Sequence, residues 1–256
     1  MSQLKKHERR LFDNLANFRP KAYQVMGIKD IQKMGYITHI LSQYIDEGKC
    51  YNFLEAGCGT GRYGKFLLDV FPKLKVKGLD ISPKMVKLAN VDAPLRFEAE
   101  IGDLENVHLF EEETFDIIGC FGILHHFPSL FTVLENMSKW LKPDGYIVIS
   151  EPSGNNFVNK FSKIILRILT VLLKNDFFIR HYVATPNETN HQFNTYTKNL
   201  LKTEYKIILY DFVYIRSNVK KRVLIEYIKD VLYNWTYRFT PFQYKGNEMI
   251  ICAQKK

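Results

Sequence analysis

The sequence predicts an α/β protein whose core is a doubly wound, mostly parallel sheet of seven strands with helical insertions. Three observations lead to this prediction. Short, almost continuously apolar segments alternate with helical ones along the middle of the chain, as in a parallel sheet covered by helices on both faces. A glycine cluster follows the first apolar segment. The length of 256 residues suits one elaborated domain better than two complete ones.

The N-terminal region and the first strand open the pattern. Residues 3–47 are predicted to be helical, with breaks near Pro20 and Gly27–Gly35. Residues 51–56 form an apolar run, which is predicted to be the first strand. This strand leads into four closely spaced glycines: Gly57, Gly59, Gly61 and Gly64.

The alternation of helix and strand then continues. Residues 62–71 are predicted to form a helix that stops at Pro72, and residues 74–80 the second strand. Ser82 and Pro83 are typical of a helix start, with serine as the N-cap and proline at the first helical position.

The remaining strands complete the predicted sheet. They are expected at residues 95–101, 114–121, 145–150, 205–213 and 248–252. A helix over residues 130–141 is predicted to precede the fifth strand, and Pro143, Asp144 and Gly145 are predicted to close it.

Composition excludes several other classes of protein. Hydrophobic residues make up 46% and charged residues 25%, which excludes disordered, collagen-like and coiled-coil chains. The four cysteines, Cys50, Cys58, Cys120 and Cys252, are scattered and form neither a disulfide framework nor a C-x-x-C zinc pair. Because the N-terminus is polar and lacks the apolar core of a signal peptide, we expect a cytoplasmic location. We expect no metal site and no transmembrane segment.

The net charge of +9 is unevenly distributed. Residues 1–50 carry +4, residues 51–151 carry −5 and residues 152–256 carry +10. A basic excess in the flanks suggests an anionic neighbour, such as a phosphorylated substrate, a nucleic acid or a lipid surface. The alternative explanation of this basic excess is that net charge keeps the protein soluble.

The glycine cluster marks the expected ligand site, because ligands of open parallel sheets bind at the carboxyl ends of the strands. Glycines at alternate positions let the backbone turn sharply and approach a ligand closely. A dinucleotide-binding G-x-G-x-x-G pattern counted from Gly57 fails at Arg62. Counted from Gly59, the pattern fits but places Glu55 inside a buried strand, where an unpaired carboxylate is costly. No G-K-[ST] of a phosphate-binding loop follows.

With Glu55 at the end of the first strand, the segment becomes an acid followed by G-x-G-x-G, which resembles the first motif of class I S-adenosylmethionine-dependent methyltransferases. Further matching segments follow in order: Asp80 after the second strand, Gly102-Asp103, residues 115–127, Leu141 to Gly145, and Glu151-Pro152. The resemblance covers residues 53–152. It implies a Rossmann-like methyltransferase fold and S-adenosylmethionine as the cofactor.

The resemblance also implies roles for individual residues. Asp80 would accept hydrogen bonds from both ribose hydroxyls, and Asp103 would accept one from the adenine amino group. Ile81, Leu104 and Phe121 would sandwich the adenine ring, and an acidic core suits the cationic sulfonium and ammonium groups. The predicted cofactor-binding residues are Glu55, Gly57, Gly59, Gly61, Asp80, Ile81, Asp103, Leu104 and Phe121. The structural alternatives are a helix cap for Asp80 and a turn for Asp103.

Two histidines are the candidates for a catalytic base, which methyl transfer to a hydroxyl or an acidic carbon requires. His125 and His126 follow the fourth strand, at the sheet edge to which the methyl group should point. Since neighbours in an extended loop point in opposite directions, we expect one to face the methyl group and choose His126 over His125. The alternative to a catalytic role is that one of these two histidines hydrogen-bonds the backbone and shapes the loop. Glu151 and His191 are reserve candidates.

The absence of two motifs narrows the range of expected methyl acceptors. No [DNS]-P-P-[YFW] segment, which the family uses for exocyclic base amines, follows the fourth strand, and no Pro-Cys pair is present to attack a pyrimidine. The remaining resemblance is to the small-molecule branch, so we expect a small-molecule acceptor, with anionic and lipid-linked ones included. A nucleic-acid acceptor is not favoured, although some transfer-RNA methyltransferases carry a similar Leu-His-His segment. A non-catalytic nucleotide-binding or membrane-surface protein on the same fold is the alternative.

These interpretations divide the chain into four parts. Residues 1–50 are expected to cover the active site, 51–152 to bind the cofactor, 153–203 to form a helical insertion, and 204–256 to supply the last strands with a second helical insertion. Residues 156–174 in the first insertion are predicted to form an apolar helix with a basic stripe. It is either a lid over the pocket or a peripheral membrane contact, and it is too charged to span a bilayer.

Overall fold

The structure is a computed structural model that describes residues 3–18, 23–154, 189, 191–213, 215 and 246–256. The helices are α1 (Gln3–Phe18), α2 (Ile28–Leu41), α3 (Arg62–Val70), α4 (Pro83–Asn90), α5 (Phe131–Trp140) and α6 (Phe193–Lys202). The strands are β1 (Tyr51–Ala56), β2 (Leu74–Asp80), β3 (Phe97–Ile101), β4 (Phe115–Phe121), β5 (Leu141–Pro152), β6 (Tyr205–Val213) and β7 (Glu248–Lys255). Short 3₁₀ turns lie at Val107–Leu109 and Leu124–His126.

The seven strands form one sheet in the order β3-β2-β1-β4-β5-β7-β6. Neighbours from β3 to β5 are parallel, whereas β7 is antiparallel to both β5 and β6. This confirms the predicted doubly wound, mostly parallel sheet. The strand order reverses between β1 and β4, so the connections from these two strands diverge there and leave a crevice at their carboxyl ends.

Alternating side chains of the strands feed two apolar clusters, one on each face of the sheet. On β1, Phe53 belongs to the cluster with α2 and α3, and Leu54 belongs to the cluster with α5 and α6. Both side chains are fully buried. Because helices cover both faces, the central strand β4 is apolar at nearly every position, whereas β2 and β3 toward the edge alternate apolar with charged residues.

Two predicted boundaries were wrong. Gly35 lies inside α2, which begins after Gly27, because the burial of Met34 and Ile37 beside Gly35 outweighs the cost of about 1 kcal/mol for a helical glycine. Strand β5 begins at Leu141, so the predicted turn over residues 143–145 lies within the strand. Its register with β4 shifts in this region, and the left-handed Asp144 (φ 60°) interrupts the ladder without ending it.

Several predictions concern residues that the structure does not describe. The apolar helix at 156–174, its interpretation as a lid or membrane contact, most of the second helical insertion and the break at Pro20 all fall there. Within the described ranges, no helix is long and apolar enough to cross a membrane. The same residues contain no group of three or more histidine, cysteine or acidic side chains that could hold a metal ion.

Candidate active site

A cavity of about 320 Å³ lies at the carboxyl ends of β1 to β4, within the range of about 300–1,000 Å³ that is usual for small-molecule sites. Most predicted site residues line it: Gly57, Gly59, Asp80, Ile81, Asp103, Leu104, Phe121 and His126. The predicted residues Glu55, Gly61 and His125 lie behind this wall. The cavity thus joins predicted residues that are up to 69 positions apart in the sequence (Gly57 and His126), as expected where four parallel strands end at one edge.

The glycines of the loop have different structural roles. Gly59 has a left-handed φ of 54°, and a Cβ built there would meet no atom within 4 Å, so its backbone borders open space in the cavity. Gly61 is also left-handed (φ 71°), but its Cβ would lie 2.3 Å from the Phe97 ring. Gly59 is therefore open to a ligand, whereas Gly61 allows the start of α3 to pack against β3.

Asp80 ends β2 and holds the two loops that border the cavity. Its Oδ2 accepts a hydrogen bond from the Gly59 amide at 2.8 Å, and its Oδ1 accepts one from the Ser82 amide at 2.9 Å. Burial raises the pKa of Asp80, although both hydrogen bonds and nearby His126 oppose that rise. Ser82 itself caps α4, as predicted, by accepting from Met85 N at 3.2 Å. The carboxylate of Asp80 keeps acceptor capacity on both oxygens.

Asp103 is held by a residue that sequence analysis missed. Lys5 of α1 donates to both carboxylate oxygens of Asp103 at 2.7 Å and also contacts Glu105. The Glu105 amide donates a hydrogen bond to Asp103 Oδ1 at 3.1 Å. This is the contact expected of a turn aspartate, the alternative role that the sequence left open for Asp103. Lys5 lies 98 residues from Asp103 in the sequence, so no local pattern could have predicted the pair.

Glu55 requires a correction. It lies within β1, only 1% exposed, and its Oε2 accepts a hydrogen bond from the Gly64 amide at 2.9 Å. Burial raises the pKa of Glu55 to about 8, so the side chain is mainly neutral at pH 7 and supplies little of the negative charge that we expected there. Its position joins β1 to α3 beneath the loop. The strand tolerates it because the carboxyl is protonated and hydrogen-bonded.

His125 and Glu151 hold the turn that follows β4. His125 Nδ1 lies 2.6 Å from Glu151 Oε2, while Glu151 Oε1 accepts from the amides of Ile123 (2.8 Å) and Leu124 (2.7 Å). Burial alone would raise the pKa of Glu151, but His125 and these hydrogen bonds together lower it. Neither side chain lines the cavity, so their contacts support a role in shaping the turn.

His191, the other reserve candidate, also supports this turn. Its Nε2 lies 2.7 Å from the carbonyl oxygen of Phe127, and the side chain is buried. Like Glu151, it contacts the back of the loop and does not line the cavity.

His126 reaches the cavity, where it meets α1. Its Nδ1 lies 2.5 Å from Glu8 Oε1, and its ring packs edge-on against Phe12 with 5.5 Å between centroids. The predicted extended loop is instead a 3₁₀ turn, so the rings of His125 and His126 lie side by side, 4.1 Å between centroids, and do not point in opposite directions.

Further residues of the cavity wall were absent from our prediction. Among them are Lys5, Glu8, Phe12, Tyr23, Arg62 and Tyr63. Arg62 and Tyr63 directly follow the glycine loop, and that adjacency could have identified them. The first four come from the N-terminal region, and only tertiary packing brings them to the cavity.

Residues 47–213 match the family model of a methyltransferase domain, which covers well over half of the chain. The chain belongs to this methyltransferase family. It is a class I family, whose cofactor is S-adenosylmethionine, so the resemblance deduced from the motifs is confirmed.

Curated relatives carry several methyltransferase names. The chain is 32% identical to malonyl-[acyl-carrier protein] O-methyltransferase of Priestia megaterium over 105 residues, which are 41% of this chain and 38% of that protein. It is 26% identical to demethylmenaquinone methyltransferase of Thermotoga maritima over 190 residues, which are 71% and 80% of the two chains. For the first curated relatives, the match thus spans about half of their length or less.

The fold is also that of solved methyltransferases. An S-adenosylmethionine-dependent methyltransferase from Archaeoglobus fulgidus superposes with a TM-score of 0.57 at 19% identity, covering 87% of this chain and 94% of that one. At this identity the similarity concerns the fold alone.

Proposed function

We propose that this protein transfers the methyl group of S-adenosylmethionine to a small-molecule acceptor. The observation that carries the proposal is the cavity at the strand ends, where an open glycine backbone, the carboxylate of Asp80 and the imidazole of His126 face one space. Family membership of residues 47–213 supports the same conclusion.

The described residues fit the cofactor chemically. Asp80 retains acceptor capacity for a ribose diol, and Gly59 leaves room for close approach. Asp103 is placed to accept from an adenine amino group, with Lys5 as its partner in this structure. Ile81, Leu104 and Phe121 supply an apolar surface for the adenine ring. The nearby acidic side chains of Glu8, Asp80, Asp103 and Glu105 suit a cationic cofactor.

The residues of the chain then have three tasks: to orient the acceptor, to exclude water and to accept a proton. When bound, the cofactor supplies a methyl group on a sulfonium, whose carbon–sulfur bond breaks with the electron pair left on sulfur. The walls of the cavity orient the acceptor toward that carbon, and Phe12 of α1 excludes water beside His126. His126 accepts the proton of the acceptor hydroxyl or carbon acid. Residues 1–50 cover the active site in this proposal.

We further propose that the acceptor is lipid-linked or anionic and that the protein acts in the cytoplasm. Relatives named for malonyl-[acyl-carrier protein] and demethylmenaquinone support an acceptor of this kind. A panel of malonyl-acyl carrier protein, a quinone precursor and transfer RNA, each with radiolabelled cofactor, tests this. Label transfer only to transfer RNA would contradict the acceptor proposal and favour the RNA-modifying alternative.

Cofactor binding tests the core of the proposal. Asp80→Ala should weaken S-adenosylmethionine binding by about 1.5–3 kcal/mol, roughly 10–150-fold in Kd, because charge-assisted hydrogen bonds are lost. Isothermal titration calorimetry measures this, with Asp69→Ala on the exposed end of α3 as the matched control. Tight binding of NAD with no response to S-adenosylmethionine would overturn the proposal.

A further inference from the structure

We propose that Glu8 of α1 is a positioning residue for His126, so that the base and its orienting acid come from distant parts of the chain and meet at the cavity wall. This inference rests on the proposed function, since it assigns a partner to the base of that reaction. It adds a residue that neither the motifs nor the family match identifies, because Glu8 lies outside residues 47–213.

The geometry of the pair is that of an acid holding a histidine tautomer. Glu8 Oε1 lies 2.5 Å from His126 Nδ1, and the two side chains are only 11% and 10% exposed. A carboxylate has no proton to donate to Nδ1, so its negative charge beside that nitrogen favours the tautomer that carries the proton on Nδ1. In the neutral ring, Nε2 is then the acceptor nitrogen, which is the form that a general base needs.

The surroundings of His126 favour the same role. From α1 it meets Glu8 and Phe12, from its own turn His125, and from the end of β2 the charge of Asp80. Lys5, a cation of α1 that lines the cavity, is engaged with Asp103 and Glu105. Two carboxylates, those of Glu8 and Asp80, therefore lie close to the ring of His126.

The contrast with His125 strengthens the assignment. His125 Nδ1 also meets a buried glutamate, Glu151, but that glutamate is committed to two backbone amides of the turn. His126 and Glu8 instead line the cavity. One pair thus holds the turn, while the other faces the space where an acceptor would react.

The proton step balances without any further reactant. A proton moves from the acceptor O–H or C–H to His126 Nε2, and its bonding electrons remain on the acceptor atom that attacks the methyl carbon. Glu8 keeps its charge throughout and donates no proton. Because α1 carries Glu8, the oriented base exists only when α1 lies against the turn after β4.

The direct test measures the tautomer of His126 in the protein without substrate. Nitrogen-15 NMR of histidine-labelled protein at high pH should show Nδ1 protonated and Nε2 unprotonated in the unaltered chain. In Glu8→Leu, which removes both the charge and the acceptor, the population should shift toward protonated Nε2, the tautomer that an imidazole without such a neighbour prefers. Lys6→Leu, at an exposed position of the same helix, is the matched control and should leave the spectrum unchanged. An unchanged tautomer in Glu8→Leu overturns the inference.

A kinetic test adds a second readout. Glu8→Gln should lower kcat about 10–100-fold, less than the loss of about 10²–10⁴-fold expected from removing the base. Glu8→Asp, which keeps the charge on a shorter side chain, should recover part of this loss. An equal loss in Glu8→Asp and Glu8→Gln would show a structural role and overturn the inference.

The two tests separate this inference from the proposed function. If His126→Ala retains full turnover, the assignment of the base fails, yet the tautomer measurement still reports on the Glu8–His126 pair. Backbone hydrogen exchange of α1 in Glu8→Gln checks that the helix stays docked.

Discussion

At the residue scale, the surroundings of each carboxylate decide what it can do. Asp80 borders the cavity and keeps acceptor capacity, Glu151 is ionised against His125, and Glu55 is mainly protonated. All three lie at or near the ends of neighbouring parallel strands. Their different roles follow from their hydrogen-bond partners and from burial, which disfavours charge unless a cation or several donors offset it.

Glu55 predicts a specific dependence of stability on pH. Its pKa is raised from 4.5 to about 8 by burial, so the folded state holds a proton that the unfolded state releases between these values. The stabilisation is complete below pH 4.5, and the free energy of unfolding should fall by roughly 1 kcal/mol per pH unit as the pH rises toward 8. Glu55→Gln, which keeps an acceptor for Gly64, should remove that slope. Urea unfolding between pH 5 and 8 measures it.

The control for this prediction is Glu112→Gln, at an exposed position. It should reproduce the slope of the unaltered protein. An equal slope in Glu55→Gln would mean that Glu55 is ionised in the folded state.

His126 predicts a catalytic effect that is separate from cofactor binding. His126→Ala should reduce turnover roughly 10²–10⁴-fold while leaving the affinity for S-adenosylmethionine nearly unchanged, because a general base acts on the acceptor. Single-turnover kinetics and calorimetry measure the two quantities. His39→Ala, on the exposed face of α2, is the control. A variant that keeps most of its turnover would mean that alignment alone drives the transfer.

At the scale of elements, the turn after β4 and helix α1 build the catalytic side of the cavity together. Glu151 fixes the backbone of the turn, His191 supports it from behind, and α1 covers it with Phe12. Asp13 of α1 also accepts a hydrogen bond from Ser82 Oγ at 2.6 Å, which joins the helix to the start of α4. A single N-terminal helix therefore contacts the loops after three strands.

The pair of His125 and Glu151 gives a prediction for this turn. His125→Ala should destabilise the fold by about 3–5 kcal/mol, because it leaves a buried carboxylate without its partner. Adding Glu151→Gln should recover part of the loss, since the double variant no longer buries that charge. Urea unfolding of the two single variants and the double variant measures the coupling. Additive losses would contradict a direct pair.

At the scale of the whole molecule, charge is divided between the site and its flanks. The segment 51–151 carries −5 and supplies Asp80, Asp103 and Glu105 to the cavity, while the flanking segments carry +4 and +10. An acidic cavity suits a cationic cofactor, and the basic flanks suit an anionic acceptor or its carrier.

A ligand that contacts the ends of several strands should stabilise the fold as a unit. At 100 times its Kd, S-adenosylmethionine should raise the free energy of unfolding by about 2.7 kcal/mol, roughly 5–11 °C in melting temperature. In Asp80→Ala at the same cofactor concentration, the gain should fall to about 0.3–1.4 kcal/mol. Differential scanning calorimetry tests both values. A melting temperature that does not change when S-adenosylmethionine is added would contradict binding at this cavity.

The sequence by itself determined the alternation of strands and helices, the N-cap at Ser82, and most of the strand-end and glycine-loop residues that were expected at the carboxyl edge. These features depend on local chemistry: the period of apolar side chains, the capping preference of serine and the conformational freedom of glycine. The edge also follows from topology, because parallel strands end together.

Only the tertiary structure decided which of these groups are charged and which are paired. Glu55 is mainly protonated and joins β1 to the Gly64 amide of α3. Asp103 pairs with Lys5, and His126 contacts Glu8. The last two pairs join α1 to loops about 100 residues away, and the first depends on how completely helices cover β1. Burial and long-range contact set the protonation of a side chain, and neither is written in the spacing of neighbouring residues.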